Sequence, residues 1–248
     1  MSRWPRRTLL ALLLLAVFVH YARQTEAPPL PPGVKKENVT LELAGQSVSV
    51  SLYHPAKDEN ASLVVVAHGF TRSKRYMAGW GSHLAGEGFL VVVPTQPAFA
   101  DHELNGRVLA ALVEKYRERR RVALMGFSMG GLTTLLASSH TSVDAWVGLD
   151  PVDMNGQGRV AAAKLKALAA FLLAEPESWN MHNNANSLVA AIPGEKQVFR
   201  VPGGTHLDAE WPTDLLGQLA CGFVDEKCQQ QFRDKATEFL KARLLRGP

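Results

Sequence analysis

The segment RRVALMGFSMGGLT, residues 120–133, decides the fold and singles out one serine. Its apolar run from Val122 predicts a buried strand, and the residues after Ser128 are compatible with a helix. A strand-to-helix turn this sharp leaves almost no room two positions before and two positions after its central residue, which explains Gly126 and Gly130. The pattern G-x-S-x-G alone recurs by chance, but in this context it predicts that the Ser128 hydroxyl stands clear of the sheet at a helix N-terminus.

Strand and helix patterns alternate on both sides of this segment. Residues 39–53 alternate in polarity around Ala44-Gly45-Gln46, which is typical of a hairpin. Valine-rich or otherwise continuous apolar runs predict strands at residues 63–67, 89–93, 122–125, 145–149, 168–173 and 197–201. Helical periodicity predicts helices at about residues 77–87, 105–116 and 230–245. This order predicts a single-domain α/β fold with a mostly parallel sheet and helices on both faces.

Length and composition fit one enzyme-sized domain preceded by a leader. The chain has 248 residues, 46% of them hydrophobic and 20% charged, which is enough to bury one large core. Residues 1–27 combine arginines with an apolar run over residues 9–19, as in a signal peptide or a short signal anchor. Residues 28–36 are a Pro-rich tether, and residues 37–248 form the folded domain. We therefore expect an exported protein, which an uncleaved leader would tether to a membrane.

The positive charge of the chain lies mainly in the leader. The formal net charge is +4, but residues 1–27 contain four arginines and one glutamate, so the remaining 23 basic and 22 acidic residues leave a net charge of +1. The run RERRR at residues 117–121 is explained as a solvent-exposed segment that leads into the next strand. We expect no nucleic-acid partner.

Two cysteines, Cys221 and Cys228, lie seven positions apart near the C-terminus. An exported protein meets an oxidising compartment, where such a pair joins readily. The sequence therefore predicts a local disulfide, with two buried thiols as the alternative. Because no histidines lie nearby, the pair does not indicate a metal site.

The ends of the predicted strands supply groups for one site. Catalytic groups of such sheets gather at the carboxyl ends of the strands. The strand at residues 63–67 runs into His68-Gly69-Phe70, and we expect the amides of Phe70 and Met129 to form an oxyanion hole. His68 itself is expected to be structural. His206 follows a late strand in a Gly-rich loop, after Ser128 and every candidate acid, as the chain order of a nucleophile-elbow hydrolase requires.

At this point the chain resembles the α/β-hydrolases, and among them the lid-poor branch of dienelactone hydrolases, cutinase-like polyester hydrolases and chlorophyllases. Residues 64–96, VVVAHGFTRSKRYMAGWGSHLAGEGFLVVVPTQ, are similar to the oxyanion-strand region of the polyester hydrolases. GLDPVD at 148–153 and THLD at 205–208 look like chlorophyllases. The resemblance spans about residues 37–245. Chlorophyllases usually carry an arginine or similar residue after the serine, so Met129 speaks against carrying over pigment specificity.

The acid that orients His206 has four candidates. In most α/β-hydrolases it follows the second strand after the elbow, and alignment on the cutinase-like pattern places Glu177 there, with Glu175 just before it. Asp150 lies 22 residues after Ser128, where chlorophyllases and pancreatic lipases place their acid. We favour Asp150 over Glu177 and keep Glu175 and Asp153 as further alternatives. Without a catalytic role, Asp150 would cap the turn before Pro151, and Glu177 would be a solvated loop carboxylate.

These residues predict a serine hydrolase that cleaves carboxylic esters through an acyl-enzyme, without metal or other cofactor. The alternatives are an acyltransferase or peptidase with the same residues, or a non-catalytic binding protein. The connection from Asp150 to the strand at residue 168 has about 17 residues, so we expect no large cap domain and an open site. Small-molecule or lipid-like esters would then enter, with Trp179 and Trp80 as candidate substrate contacts. We expect a monomer.

Overall fold

The computed structural model describes residues 4–22, 25–57 and 59–245. Eight strands form one sheet in the order β1-β2-β4-β3-β5-β6-β7-β8. The pairs β1–β2 and β2–β4 are antiparallel and all other neighbours are parallel. The strands are β1 (Lys35–Leu43), β2 (Gln46–His54), β3 (Leu63–Ala67), β4 (Leu90–Pro94), β5 (Val122–Phe127), β6 (Ala145–Leu149), β7 (Leu168–Leu173) and β8 (Lys196–Arg200).

Helices connect the parallel strands and cover both faces of the sheet. The α-helices are α1 (Trp4–Ala22), α2 (Ala78–Gly86), α3 (His102–Tyr116), α4 (Met129–Ala137), α5 (Gln157–Ala162), α6 (Ala185–Ala191), α7 (Leu215–Cys221) and α8 (Glu226–Leu244). Short 3₁₀ turns cover Lys74–Met77, Ser178–Asn180 and His206–Ala209.

The sheet separates two hydrophobic cores, because side chains alternate across it. On β3, Leu63 and Val65 belong to the core that includes α3, α4, α5 and α6, whereas Val64 and Val66 belong to the core that includes α2 and α8. The predicted single-domain α/β fold with a mostly parallel sheet and helices on both faces is thereby confirmed. The connection from β6 to β7 contains only the short helix α5, as expected for a fold without a large cap domain.

The predicted hairpin and strands agree with the structure to within a few residues at their ends. The predicted helices correspond to α2, α3 and α8. Three helices were not predicted, α5, α6 and α7, and each has only six or seven residues. Two turns of helix give too short a window for a 3.6-residue periodicity to stand out.

The N-terminal region consists of an apolar helix and a tether that contacts the domain. The large apolar side chains of α1 from Leu9 to Phe18 are exposed. In the described part of the chain, no helix has both the length and the hydropathy needed to cross a membrane. The Pro29 carbonyl accepts a hydrogen bond from Ser82 Oγ at 3.1 Å, and Val34 is buried in the core with α2 and α8. The tether therefore runs along α2.

The predicted disulfide between Cys221 and Cys228 is wrong for this structure, in which both thiols are free. Cys221 ends α7 and faces the large pocket described below. Cys228 lies in the first turn of α8, where its Sγ is 3.8 Å from the Pro202 carbonyl. Seven positions of spacing are compatible with a bridge, but the two helices direct the thiols to different surroundings.

Candidate active site

Ser128 lies at the strained turn between β5 and α4. Its backbone has φ +54° and ψ −124°, a conformation that side-chain-bearing residues rarely adopt, and this turn directs the side chain away from the sheet. A Cβ on Gly130 would lie 2.5 Å from the Ala67 carbonyl oxygen, and one on Gly126 would overlap the Gly130 backbone. The two glycines are therefore required by close packing of backbone against backbone, as the sequence predicts.

His206 opens the 3₁₀ turn that follows β8, and its ring meets the serine. Its Nε2 lies 2.8 Å from Ser128 Oγ, and its ring packs against Phe127 with the centroids 4.8 Å apart. The turn begins with a capping box, in which Thr205 and Asp208 bond each other's backbone amides. The His206 side chain is 7% exposed, so the imidazole is held by packing as well as by hydrogen bonds.

Asp150, directly after β6, is the candidate acid that contacts the imidazole. Its Oδ2 lies 2.6 Å from His206 Nδ1, and the residue is fully buried. A carboxylate can only accept, so Nδ1 carries the proton and Nε2 is left to accept from the Ser128 hydroxyl. Asp150 Oδ1 accepts from the Ala174 amide at 3.0 Å. Serine, histidine and aspartate thus form one hydrogen-bonded chain.

The other three candidate acids lie elsewhere. Glu177 Oε1 accepts a hydrogen bond of 2.5 Å from the backbone amide of His206 and not from its ring. Glu175 accepts from the Gly203 amide at 3.3 Å. Asp153 holds the start of α5, with its two oxygens on the amides of residues 158 and 159. All four carboxylates therefore accept backbone or side-chain N–H groups in this region, but one of them reaches the imidazole.

The two amides predicted to form the oxyanion hole belong to Phe70 and Met129, which line the same pocket as Ser128. The Met129 amide is the first of α4, and the first amides of a helix have no partner within it. The Gly69 carbonyl accepts from His68 Nδ1 at 2.8 Å, so the N–H of the same trans peptide, which belongs to Phe70, points the opposite way. Within the described residues, neither amide donates a hydrogen bond to the protein.

His68 has the structural role that the sequence predicts. Its Nε2 accepts from the Gln96 amide at 2.9 Å, which leaves the proton on Nδ1 for the Gly69 carbonyl. Burial lowers the pKa of His68 to about 4, so the ring is neutral near pH 7. The ring therefore fixes the orientation of the peptide between Gly69 and Phe70, which carries the Phe70 amide.

A pocket of about 800 Å³ opens beside Ser128 and His206. Trp179 lines it and is half exposed, and its contact with substrate stays a prediction. The same prediction for Trp80 is wrong. Trp80 is 1% exposed in the core between the sheet and α2, and its Nε1 donates to the Ala209 carbonyl at 3.0 Å. Most of the remaining lining is apolar and includes Phe70, Met129, Val152, Met154 and Leu216.

Arg72 and Asp214 line one side of the pocket and, together with Glu210, form a cluster of ionisable groups that sequence reasoning missed. Arg72 Nε lies 2.8 Å from Glu210 Oε2, and its Nη1 lies 3.4 Å from Asp214 Oδ2. Tyr76 donates to the same Asp214 oxygen at 2.6 Å. Burial raises the pKa of Glu210 to about 8, although the charge of Arg72 opposes this. The partners are about 140 residues apart in the chain, so no local signal could have joined them.

Asn180 is a second residue missed by sequence reasoning. It is 1% exposed, and its Nδ2 donates to Asp150 Oδ2 at 3.1 Å. The only signal in the sequence is an Asn-rich loop, residues 179–184, with asparagines at 180, 183 and 184, close to a predicted strand end. Within residues 4–22, 25–57 and 59–245, no three His, Cys, Asp or Glu side chains are grouped as metal ligands.

Comparison with known proteins agrees with this fold. The chain is 26% identical over 237 residues to cutinase 1 of Thermobifida cellulosilytica, a match that covers 90% of this chain and 87% of that protein. A cutinase of Thermobifida fusca is equally similar, with 90% of this chain and 76% of that protein covered. The fold resembles the crystal structure of dienelactone hydrolase from Anabaena variabilis, with a TM-score of 0.68 over 86% of this chain and 99% of that one, at 16% identity. Residues 64–240, most of the chain, match the alpha/beta hydrolase family. The chain belongs to the alpha/beta hydrolase family.

Proposed function

We propose that the protein hydrolyses carboxylic esters through an acyl-enzyme on Ser128, with His206 as general base and Asp150 as the orienting acid. The observation that carries the proposal is the hydrogen-bonded chain from Ser128 Oγ through the imidazole to the Asp150 carboxylate. The similarity to cutinases over 90% of the chain supports an ester as the bond that is cleaved.

Acylation begins at the hydroxyl that donates to His206 Nε2. A serine hydroxyl is a weak nucleophile at neutral pH, so Nε2 takes its proton as Ser128 Oγ attacks the carbonyl carbon. Asp150, 2.6 Å from Nδ1, stabilises the imidazolium that forms and keeps the ring oriented. The amides of Phe70 and Met129 are the donors proposed to stabilise the oxyanion of the tetrahedral intermediate.

Deacylation repeats the sequence with water. Nε2 first returns its proton to the leaving alcohol, which departs and leaves the acyl group on Ser128. A water molecule then donates its proton to Nε2 while its oxygen attacks the acyl carbonyl. The second tetrahedral intermediate collapses to the free acid and regenerates the serine hydroxyl.

The substrate is proposed to be a small-molecule or lipid-like ester. The pocket of about 800 Å³ is mostly apolar and lies open beside the nucleophile, which suits an ester with an apolar acyl or alcohol part. Trp179 is the proposed contact at its mouth, because half of its surface remains available to a ligand.

The experiment that tests this function combines turnover with labelling. The purified protein is incubated with p-nitrophenyl esters of two to twelve carbons and, separately, with a fluorophosphonate probe. Release of p-nitrophenol together with labelling of Ser128 supports hydrolysis. Labelling without release favours an acyltransferase, and the absence of both favours a binding protein.

We also infer that the protein is exported, with residues 1–27 as a signal peptide or uncleaved anchor. The arginines before an apolar run and the exposed leucines of α1 support this. N-terminal sequencing of the protein recovered from outside the cytoplasm tests the inference. Recovery of the whole protein in the cytoplasmic fraction with its leader intact would contradict it.

A further inference from the structure

We infer that the segment Glu177–Asn180 positions both the acid and the base of the site. In this arrangement Asn180 fixes the carboxylate of Asp150, and Glu177 fixes the backbone of His206. Asn180 and Glu177 are positioning residues, since neither touches the reacting atoms. The inference rests on the proposed function and names two residues that the proposed mechanism does not use.

Asn180 has a side-chain orientation that its surroundings determine. Its Oδ1 accepts from the backbone amides of Glu177 at 2.9 Å and Asn183 at 3.0 Å. Those two donors require the amide oxygen on their side, so the NH₂ group must face the other way. There it donates to the Glu175 carbonyl at 2.8 Å and to Asp150 Oδ2 at 3.1 Å. Every hydrogen-bonding position of this buried amide is occupied.

The contact with Asp150 is made on the same oxygen that meets the imidazole. Oδ2 accepts from both His206 Nδ1 and Asn180 Nδ2, while Oδ1 accepts from the Ala174 amide. The carboxylate has three donors, which fix its rotation about the Cβ–Cγ bond. Without the amide of Asn180, only one donor on each oxygen would oppose this rotation. Its loss would let Oδ2 move away from Nδ1 and would leave a fully buried charge with one fewer donor.

Glu177 connects the same segment to the base. Its Oε1 accepts from the His206 amide at 2.5 Å. Its side chain also accepts from the backbone of Asn180, and the Asn180 side chain accepts from the backbone of Glu177, as a reciprocal capping box. One short turn therefore contacts both groups: Glu177 accepts from the backbone amide of His206, and Asn180 donates to the carboxylate of Asp150. This gives Glu177, the runner-up acid from sequence, a role that does not involve the ring.

A double-mutant cycle tests whether Asn180 acts through Asp150. Asn180→Ala is expected to lower kcat about 10- to 100-fold, the range for a lost hydrogen bond to a buried charge, with KM changed less than about threefold. In the Asp150→Asn background the same substitution should cost less than about threefold, because the carboxylate that it positions is gone. Equal losses in the two backgrounds would overturn the inference, and so would unchanged kcat in the single variant.

Asn183→Ala is the matched control. Asn183 is also buried in this loop, but its Nδ2 donates to the Ala174 carbonyl and not to Asp150. Its removal should lower the melting temperature while kcat stays within about threefold. If Asn180→Ala does not fold, Asn180→Ser replaces it, since its hydroxyl can still accept from a backbone amide, is too short to reach Asp150 and adds no charge.

A spectroscopic measurement separates this inference from the proposed function. The proton on His206 Nδ1, in its short hydrogen bond to Asp150, should give a far-downfield proton resonance in the wild-type protein. We expect Asn180→Ala to shift or broaden that resonance and Asn183→Ala to leave it in place. A wild type without ester turnover would refute the proposed function alone. A resonance that is identical in wild type and Asn180→Ala would refute the positioning role, whatever the activity.

Discussion

Replacing Asp150 by asparagine should preserve the size of the side chain and abolish most of the activity of the site. The carboxylate is fully buried and accepts three hydrogen bonds, from the Ala174 amide, from Asn180 Nδ2 and from His206 Nδ1. An asparagine cannot accept from all three, and one that keeps its oxygen toward the Ala174 amide opposes Asn180 Nδ2 and the imidazole with its own NH₂ group. Nδ1 must accept from that group, so the ring proton moves to Nε2, where it blocks proton transfer from Ser128.

The expected size of the effect follows from the change of tautomer. The same loss of an orienting carboxylate costs about 10⁴-fold in kcat in a serine protease, which corresponds to about 5.5 kcal/mol of barrier. The distance of 2.6 Å between Nδ1 and Oδ2, with no solvent exposure of the carboxylate, argues for an effect of that order here. Glu177→Gln keeps an amide oxygen for the His206 backbone and should lose less than about tenfold.

The assay is kcat for a p-nitrophenyl ester, measured on both variants at equal folded concentration as established by circular dichroism. A kcat of Asp150→Asn within about tenfold of the wild type would refute the assignment of Asp150. A loss of several orders of magnitude in Glu177→Gln, with Asp150→Asn nearly normal, would move the acid to Glu177.

Three further predictions concern packing and pH. In urea unfolding, Gly130→Ala should lower the free energy of unfolding by about 3 kcal/mol, which is the upper end of the cost of overpacking. The reason is that the added Cβ would lie 2.5 Å from the Ala67 carbonyl oxygen. Trp80→Ala should cost about 3–5 kcal/mol in the same assay with unchanged kcat per folded molecule, whereas Trp179→Ala should change stability by less than about 1 kcal/mol and raise KM. Burial lowers the pKa of His68 to about 4 in the folded protein. As the pH falls, the unfolded chain therefore binds a proton at His68 at a higher pH than the folded protein does. Its contribution to stability is therefore complete above pH 6.5 and falls by about 3 kcal/mol toward pH 4, so the unfolding free energy of wild type should fall more steeply than that of His68→Gln over this window.

The parts of the fold that depend on local patterns could be predicted from the sequence. The turn at Ser128 requires glycines at positions 126 and 130 because backbone segments meet there, and this constraint is visible in five residues. The strands are buried on both faces, so they read as continuous apolar runs. The helices α5 and α7 are too short to show a period and were not predicted.

The parts that depend on tertiary geometry could not be predicted. Asp150 and Glu177 both follow strand ends on the same edge of the sheet, and sequence alone cannot show that one reaches the imidazole and the other the backbone of His206. Trp80 and Trp179 are both near predicted strand ends, but the rotation of α2 about its axis buries the first. Asn180 was not predicted as a contact of Asp150, because the 30 positions between them are bridged only in the folded chain.

The central claim is that Ser128, activated by His206, carries the acyl group during turnover. The most direct measurement is intact-protein mass spectrometry after rapid acid quench of a reaction with a slowly deacylating ester, followed by peptide mapping. The account predicts one acyl group per molecule, located on Ser128 and absent from His206→Ala. An acyl group on another residue, or undiminished ester turnover by Ser128→Ala, would contradict it.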